Sequence, residues 1–195
     1  MSAAEPSAAA FARTWSARIL TTPPLIAPAR QFVYPQRIAG EEDAMARGAL
    51  LLDVKPASGA NFLATCALGF RDPALPSGVF ASPRADDLLA VAGGYAYLID
   101  TIAPQTCLHL PLRPVTQILS SPETGLILLA GFHHVLAVDA NGIRWQSARL
   151  TWEGITLNEV RDGRLLGLGW NLPADREMPF SIDLASGEHK GGGLE

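Results

Sequence analysis

The chain has only two cysteines, Cys66 and Cys107, in 195 residues. Neither belongs to a Cys-x-x-Cys pair, which excludes the usual zinc and redox frameworks. Their settings, Ala-Thr-Cys-Ala-Leu and Gln-Thr-Cys-Leu-His, are those of small buried apolar residues, so two free thiols are expected. Charge is also sparse: 17% of residues, a net −4, and no basic cluster. That balance speaks against nucleic acid and against an anionic membrane as partners. No apolar run reaches the roughly 18 residues of a spanning helix. At the N-terminus no basic region leads into an apolar run, and Glu5 and Pro6 interrupt what is there, so a cytoplasmic location is the expectation. The catalytic signatures are missing as well. There is no Gly-x-Ser-x-Gly, no phosphate-binding Walker loop, no dinucleotide glycine pattern and no paired metal-ligand motif. No cofactor, no metal and no catalytic residue is therefore expected.

What the chain does have is apolar residues, at 48%, with 18 glycines and 15 prolines to punctuate them. This composition supports a sizeable core with many turns rather than long helices. The apolar residues recur. Leu88 to Asp100 reads Leu-Leu-Ala-Val-Ala-Gly-Gly-Tyr-Ala-Tyr-Leu-Ile-Asp, and Leu126 to Asp139 repeats the pattern. Arg164 to Asp183 repeats it again with a polar insert. The glycines Gly93, Gly131 and Gly169 are spaced by 38 residues and then 38 again. Each copy closes on a hydrophobic run ending in Asp100, Asp139 or Asp183. A period near 40 residues with several short strands per unit is the mark of a propeller blade or a related meander. The aspartates fit turns, where a carboxylate bonds the backbone two residues on. A ring of carboxylates around a cation is the alternative, and it needs all three at one rim.

Taken in order, residues 1–40 read as an N-terminal arm and 41–195 as the β-repeat domain. Phe11, Trp15 and Ile19 stand at helical spacing, which predicts a short amphipathic helical turn. Gln31–Pro35 predicts an edge strand, and Glu41–Arg47 a short helical turn. Ala49–Val54 and Asn61–Phe70 are strands of a degenerate first unit, with Lys55 where the repeat wants glycine. Asn141-Gly142 and Asp162-Gly163 are two-residue hairpin signals between strand-like runs, favouring an antiparallel meander.

The glycines and closing aspartates over residues 79–190 resemble propeller repeats of the WD40 or quinoprotein-like kind. The Gly-His and Trp-Asp dipeptides of WD40 are out of register, and the tryptophan-docking signature of quinoprotein repeats is absent. Gly59 to Cys66 and Trp152 to Gly193 are similar to uncharacterised bacterial proteins, which implies a bacterial origin and brings no activity. The expected fold is all-β, with repeated four-stranded antiparallel units, propeller-like. A single β-sandwich is the alternative. Closing a ring takes about four blades. If the first unit is not a blade, the open sheet needs cover from the arm or from a second subunit.

The candidate binding residues are Trp170, Asp175, Arg176 and Glu177, in the insert of the last repeat, with Trp152, Glu153, His133 and His134. The insert is mostly polar and contains Pro173, so it is expected to project from the sheet as a loop; such an insert on a rigid scaffold is where function tends to sit, and Trp beside Arg is the composition of interface anchors. The function expected is a non-enzymatic binding or protein-interaction module, of the immunity kind, with another protein or a small molecule as partner. A homo-oligomer follows if the sheet is open. The alternative is a hydrolase or lyase with a rim pocket of His133, His134, Trp152 and Glu153.

Overall fold

A computed structural model of the chain describes residues 10–26, 28–35 and 44–194. Among these residues the strands form four four-stranded sheets. The first sheet holds β1 (Ser16–Leu20), β2 (Arg30–Tyr34), β3 (Ala49–Lys55) and β4 (Phe62–Ala67), in the order β1-β3-β4-β2. The second is a meander of β5 (Gly78–Ala81), β6 (Asp87–Ala92), β7 (Tyr95–Asp100) and β8 (Cys107–His109). The third is β9 (Gln117–Ser121), β10 (Leu126–Ala130), β11 (Val135–Asp139) and β12 (Gly142–Gln146). The fourth is β13 (Glu153–Arg161), β14 (Arg164–Asn171), β15 (Arg176–Asp183) and β16 (His189–Gly191). This is the all-β, propeller-like architecture of repeated four-stranded units. No helix among the described residues is long and apolar enough to cross a membrane.

The turns follow from the residues that the repeat marks. Asp162 and Gly163 both adopt positive φ, at 50° and 72°, the requirement of a tight hairpin that continues the right-handed twist of its strands. Gly131 does a different job. A Cβ there would lie 2.8 Å from Leu112 Cδ1 and 3.1 Å from the Pro114 carbonyl, so glycine lets the β10–β11 shoulder sit against the preceding connection. The repeat aspartates are turn residues. Asp100, Asp139 and Asp183 accept the backbone N–H of Ile102, Asn141 and Ala185 at 2.9, 2.7 and 3.1 Å. Among the described residues no group of three or more His, Cys, Asp or Glu side chains is placed to hold a metal ion.

The first sheet differs from the other three. Two of its strands come from the segment before residue 40, and β2 pairs in parallel with β4. The helical turn anticipated at Phe11–Leu20 is replaced by strand β1. Phe11 packs on the core between the second and third sheets, while Trp15 belongs to the core between the first and second. Two aromatics committed to different cores cannot form one helix face. The Phe-Val-Tyr strand anticipated at Gln31–Pro35 is present as the edge strand β2. Ala44–Arg47 forms one turn of 3-10 helix, and residues 41–43 of that anticipated turn lie outside the described residues.

Three hydrophobic cores join the four sheets: first to second, second to third, third to fourth. Polar handles tie the joints. Tyr97 donates to the Ala67 carbonyl and Trp15 to the Asp87 carbonyl, linking the first two sheets. Trp145 donates to the Leu184 carbonyl between the last two. Gln117 on β9 donates to Leu157 O at 2.8 Å and accepts from Leu157 N at 2.7 Å, so its amide substitutes for a strand partner at β13. The edge strands β1 and β5 approach each other, as do β9 and β13, so these neighbouring sheets meet along corresponding edges. No core cluster of the described residues joins the fourth sheet back to the first. Among the described residues the stack is open: the fourth sheet presents a bare outer face, and the outward face of the first is partly covered by residues of the β1–β2 connection.

Candidate functional site

The outward face of the fourth sheet is built by alternation and by a bulge at the start of β13. On β14, Leu165, Gly167, Gly169 and Asn171 are buried, while Leu166, Leu168 and Trp170 alternate with them on the outer face. Trp170 pairs with Glu153 on one side and with Glu177 on the other. Side chains of directly opposed residues share a sheet face, so the three lie in one row: carboxylate, indole, carboxylate. The bulge makes this row. Glu153 opposes Trp170, yet Ile155 opposes Gly169, so Gly154 is an extra residue with φ of 80°. In a regular, unbulged strand Glu153 would share the inner face with Ile155, two residues on. Re-aiming a side chain is a common use of bulges beside functional sites.

Around the row lies a recess of about 360 Å³ lined by Glu153, Gly154, Ile155, Thr156, Trp170 and Glu177. Thr156 donates to Glu177 Oε1 at 3.4 Å, across the middle strand. The Trp170 backbone is fixed from below. Its carbonyl accepts Thr151 Oγ1 at 2.5 Å and the Trp152 N–H at 3.3 Å. Gly193 runs beneath it, where any Cβ would meet that carbonyl at 2.0 Å. A half-buried indole held rigidly between two carboxylates is chemically suited to a cation: the ring face attracts it and the carboxylates neutralise it.

Of the other sequence candidates, Trp152 is 42% exposed and already carries Arg149 over its ring at 5.6 Å. Among the described residues, none of the chain's own cations is recorded over Trp170. Asp175 and Arg176 sit at the β14–β15 turn, and Asp175 adopts φ of 51°. The insert does not project as a loop. Its extra residues lengthen β14 and β15 to eight residues each, paired as far as Asn171 and Arg176, and only residues 172–175 turn. His133 and His134 lie in the β10–β11 turn with ring centroids 6.4 Å apart at 88°. His134 Nδ1 is 3.1 Å from the Ser147 carbonyl. Neither histidine lines the recess. The structure thus brings Glu153, Trp170 and Glu177 together, with Trp152 adjacent, and keeps both histidines on the third sheet. The sequence alone does not assign Gly154, Thr156 or Gly193 to the site. Of these, only Gly154, a glycine beside Trp152-Glu153 at a strand start, carries a sequence signal.

The opposite rims hold ion pairs instead. Arg84 lies 2.9 Å from Asp100 and 3.4 Å from Asp87. Burial pushes the Asp87 carboxyl up, against the pull of Arg84. Burial would also raise Asp100, but the N–H groups of Ala103 and Ile102, with Arg84, outweigh it and hold that carboxyl below its usual value. Both cysteines are free, Cys66 buried and Cys107 half-buried. Burial pushes the Cys66 thiol up, and that of Cys107 to about 12.

No family model matches the chain. No curated protein matches it either. Among solved structures it is similar to a protein described as TolB from Agrobacterium tumefaciens, at 13% identity and a TM-score of 0.32, over 66% of this chain and 48% of that one. It is also similar to Kuenenia stuttgartiensis hydrazine synthase, at 11% identity and a TM-score of 0.27, over 63% of this chain and 49% of that one. The chain spans about half the length of each. The propeller-like assignment rests on the sheets themselves.

Proposed function

We propose that the chain is a non-enzymatic protein-interaction module that docks a partner on the outward face of its fourth sheet. A lysine or arginine of the partner stacks on Trp170 and is neutralised by Glu153 and Glu177. The observation that carries this reading is the row Glu153–Trp170–Glu177, assembled by register and by the Gly154 bulge. An indole face is worth about 0.5–2 kcal/mol to a cation, more when water is excluded. The flanking leucines, Leu166 and Leu168, supply apolar contact beside it. The placement of His133 and His134 away from the recess supports the module over a hydrolase or lyase. Inhibition of the captured partner, as an immunity-type role requires, is a separate property of that partner.

The test is a tryptophan-fluorescence titration with an arginine-rich peptide and an acidic peptide of equal length. The arginine peptide should perturb the signal and the acidic one should not. Trp170→Ala and Glu153→Gln/Glu177→Gln should each weaken binding at least tenfold, while Trp152→Phe should retain it. Binding unchanged in both recess variants would remove the site.

A further inference from the structure

The two ends of the stack differ in charge in a way that matches. On the first sheet, Ser16 opposes Lys55 and Arg18 opposes Asp53, on the face turned away from the core of Leu52 and Val54. Arg18 is 74% exposed on its side chain and pairs with Asp53 at 3.1 Å, so Arg18, Asp53 and Lys55 together leave this end with one net positive charge. The cations therefore stand at the end of β3, beside the start of β1. On the fourth sheet, the carboxylates flank Trp170 near the end of β14. β3 and β14 are each the second strand from the edge in their sheets. Repeating the step that stacks one meander on the next would bring the cationic end of one face against the acidic end of the other.

The apolar parts match as well. Of the connection from β1 to β2, Pro24, Ile26 and Pro28 lie on the outward face of the first sheet, in a recess shared with Arg18, Leu20 and Leu63. Of the same connection, Leu25 and Ile26 are 106% and 90% exposed, the two most exposed large apolar residues among those described. They stand where Leu166, Leu168 and Trp170 of another fourth sheet would receive them.

We propose that a second copy of this chain is the partner, and that the first sheet of each copy stacks on the fourth sheet of the other. This rests on the reading of the fourth-sheet face as a docking surface. The product is a two-fold ring of eight sheets, within the range of known propellers. A face of four strands about 4.8 Å apart and about six residues long covers about 400 Å². Two such contacts, each with two faces, bury about 1,600 Å², the size of a stable association.

The test is the mass in solution, by sedimentation or light scattering, of the full chain and two charge-reversed variants. Wild type should run at twice the 20.7 kDa chain mass. Arg18→Glu/Lys55→Glu alone and Glu153→Lys/Glu177→Lys alone should each run as monomers with unchanged circular dichroism. Mixed in equal amounts they should recover the dimer, because each contact of the mixed ring then pairs opposite charges. A wild type that stays monomeric up to its solubility limit overturns the second copy as partner. If it still binds the arginine-rich peptide through Trp170, the docking face stands with a different protein on it. A dimer indifferent to both variants overturns the surface. Separate monomers whose mixture stays monomeric overturn the pairing of the two faces.

Discussion

Strands β10 and β14 hold the same place in successive sheets, and their sequences stand one repeat apart. Leu126–Ala130 of β10 is buried at every position. Arg164–Asn171 of β14 alternates, buried at every second position. The cause is cover. β10 has a sheet on each side: Leu128 packs toward the fourth sheet, while Ile127 and Leu129 pack toward the second. β14 has a sheet on one side only, with Leu165 inside and Leu166 outside. An unbroken apolar run therefore marks a sheet inside the stack and alternation marks one at its end. β3 of the first sheet alternates in the same way, burying Leu50, Leu52 and Val54. The functional face lies where the repeat ceases to be covered.

Substitutions sharpen that contrast. Leu128→Ala and Leu129→Ala, adjacent on β10, should both cost about 2–5 kcal/mol in denaturant melts, since each empties a separate core. On β14, in the Glu153→Lys/Glu177→Lys background that removes docking, Leu165→Ala should cost about as much and its neighbour Leu166→Ala under about 1 kcal/mol. Equal losses at Leu165 and Leu166 would break the comparison. Gly154→Val should come next, at about 1–3 kcal/mol, because a β-branched residue is strained at φ of 80°. Straightening the strand there would place Glu153 on the inner face with Ile155, and binding of the arginine-rich peptide should fall with it. Deleting Gly154 leaves Glu153 directly before Ile155 and so on the outer face, and should retain binding.

The smallest expected effect is the dependence on pH at the second-sheet rim. Asp100 is held below its ordinary value of 3.8, so the stability it contributes is complete above that value. It is lost as pH falls from there through the lower native value. Asp87 is held above its ordinary value and acts in the opposite sense, since protonation relieves its burial. Asp100→Asn should thus lower Tm at pH 7, and the gap from wild type should close on acidification below the ordinary carboxylate range. Asp87→Asn should show no such closing loss.

Much of this architecture is legible in the sequence, for a physical reason. In β6, β7, β10 and β11, hydrophobic runs, turn glycines and closing aspartates act locally, so periodicity places them to within a residue. The Asp162-Gly163 turn is equally local. The first sheet is not local. Its order β1-β3-β4-β2 joins residues far apart in the chain, and the spacing of Phe11, Trp15 and Ile19 imitates a helix while serving two cores. At the candidate site, Trp170, Glu177 and Glu153 are visible as residue types, but their union depends on strand register and on a one-residue bulge. The insert misleads for a related reason: extra polar residues can lengthen a hairpin as easily as a loop.

The central claim is that the outer face of β14 lies bare in a single chain while both faces of β10 are covered. Single cysteines placed along each strand and timed for modification by a small thiol reagent test it most directly. The Glu153→Lys/Glu177→Lys background removes docking, Cys66 is protected by burial, and the half-buried Cys107 is replaced by serine. Cysteines at Leu166 and Leu168 should react fast and one at Leu165 slowly, while Ile127, Leu128 and Leu129 should all give slow sites. Uniformly slow reaction along β14, with no alternation, would contradict the account.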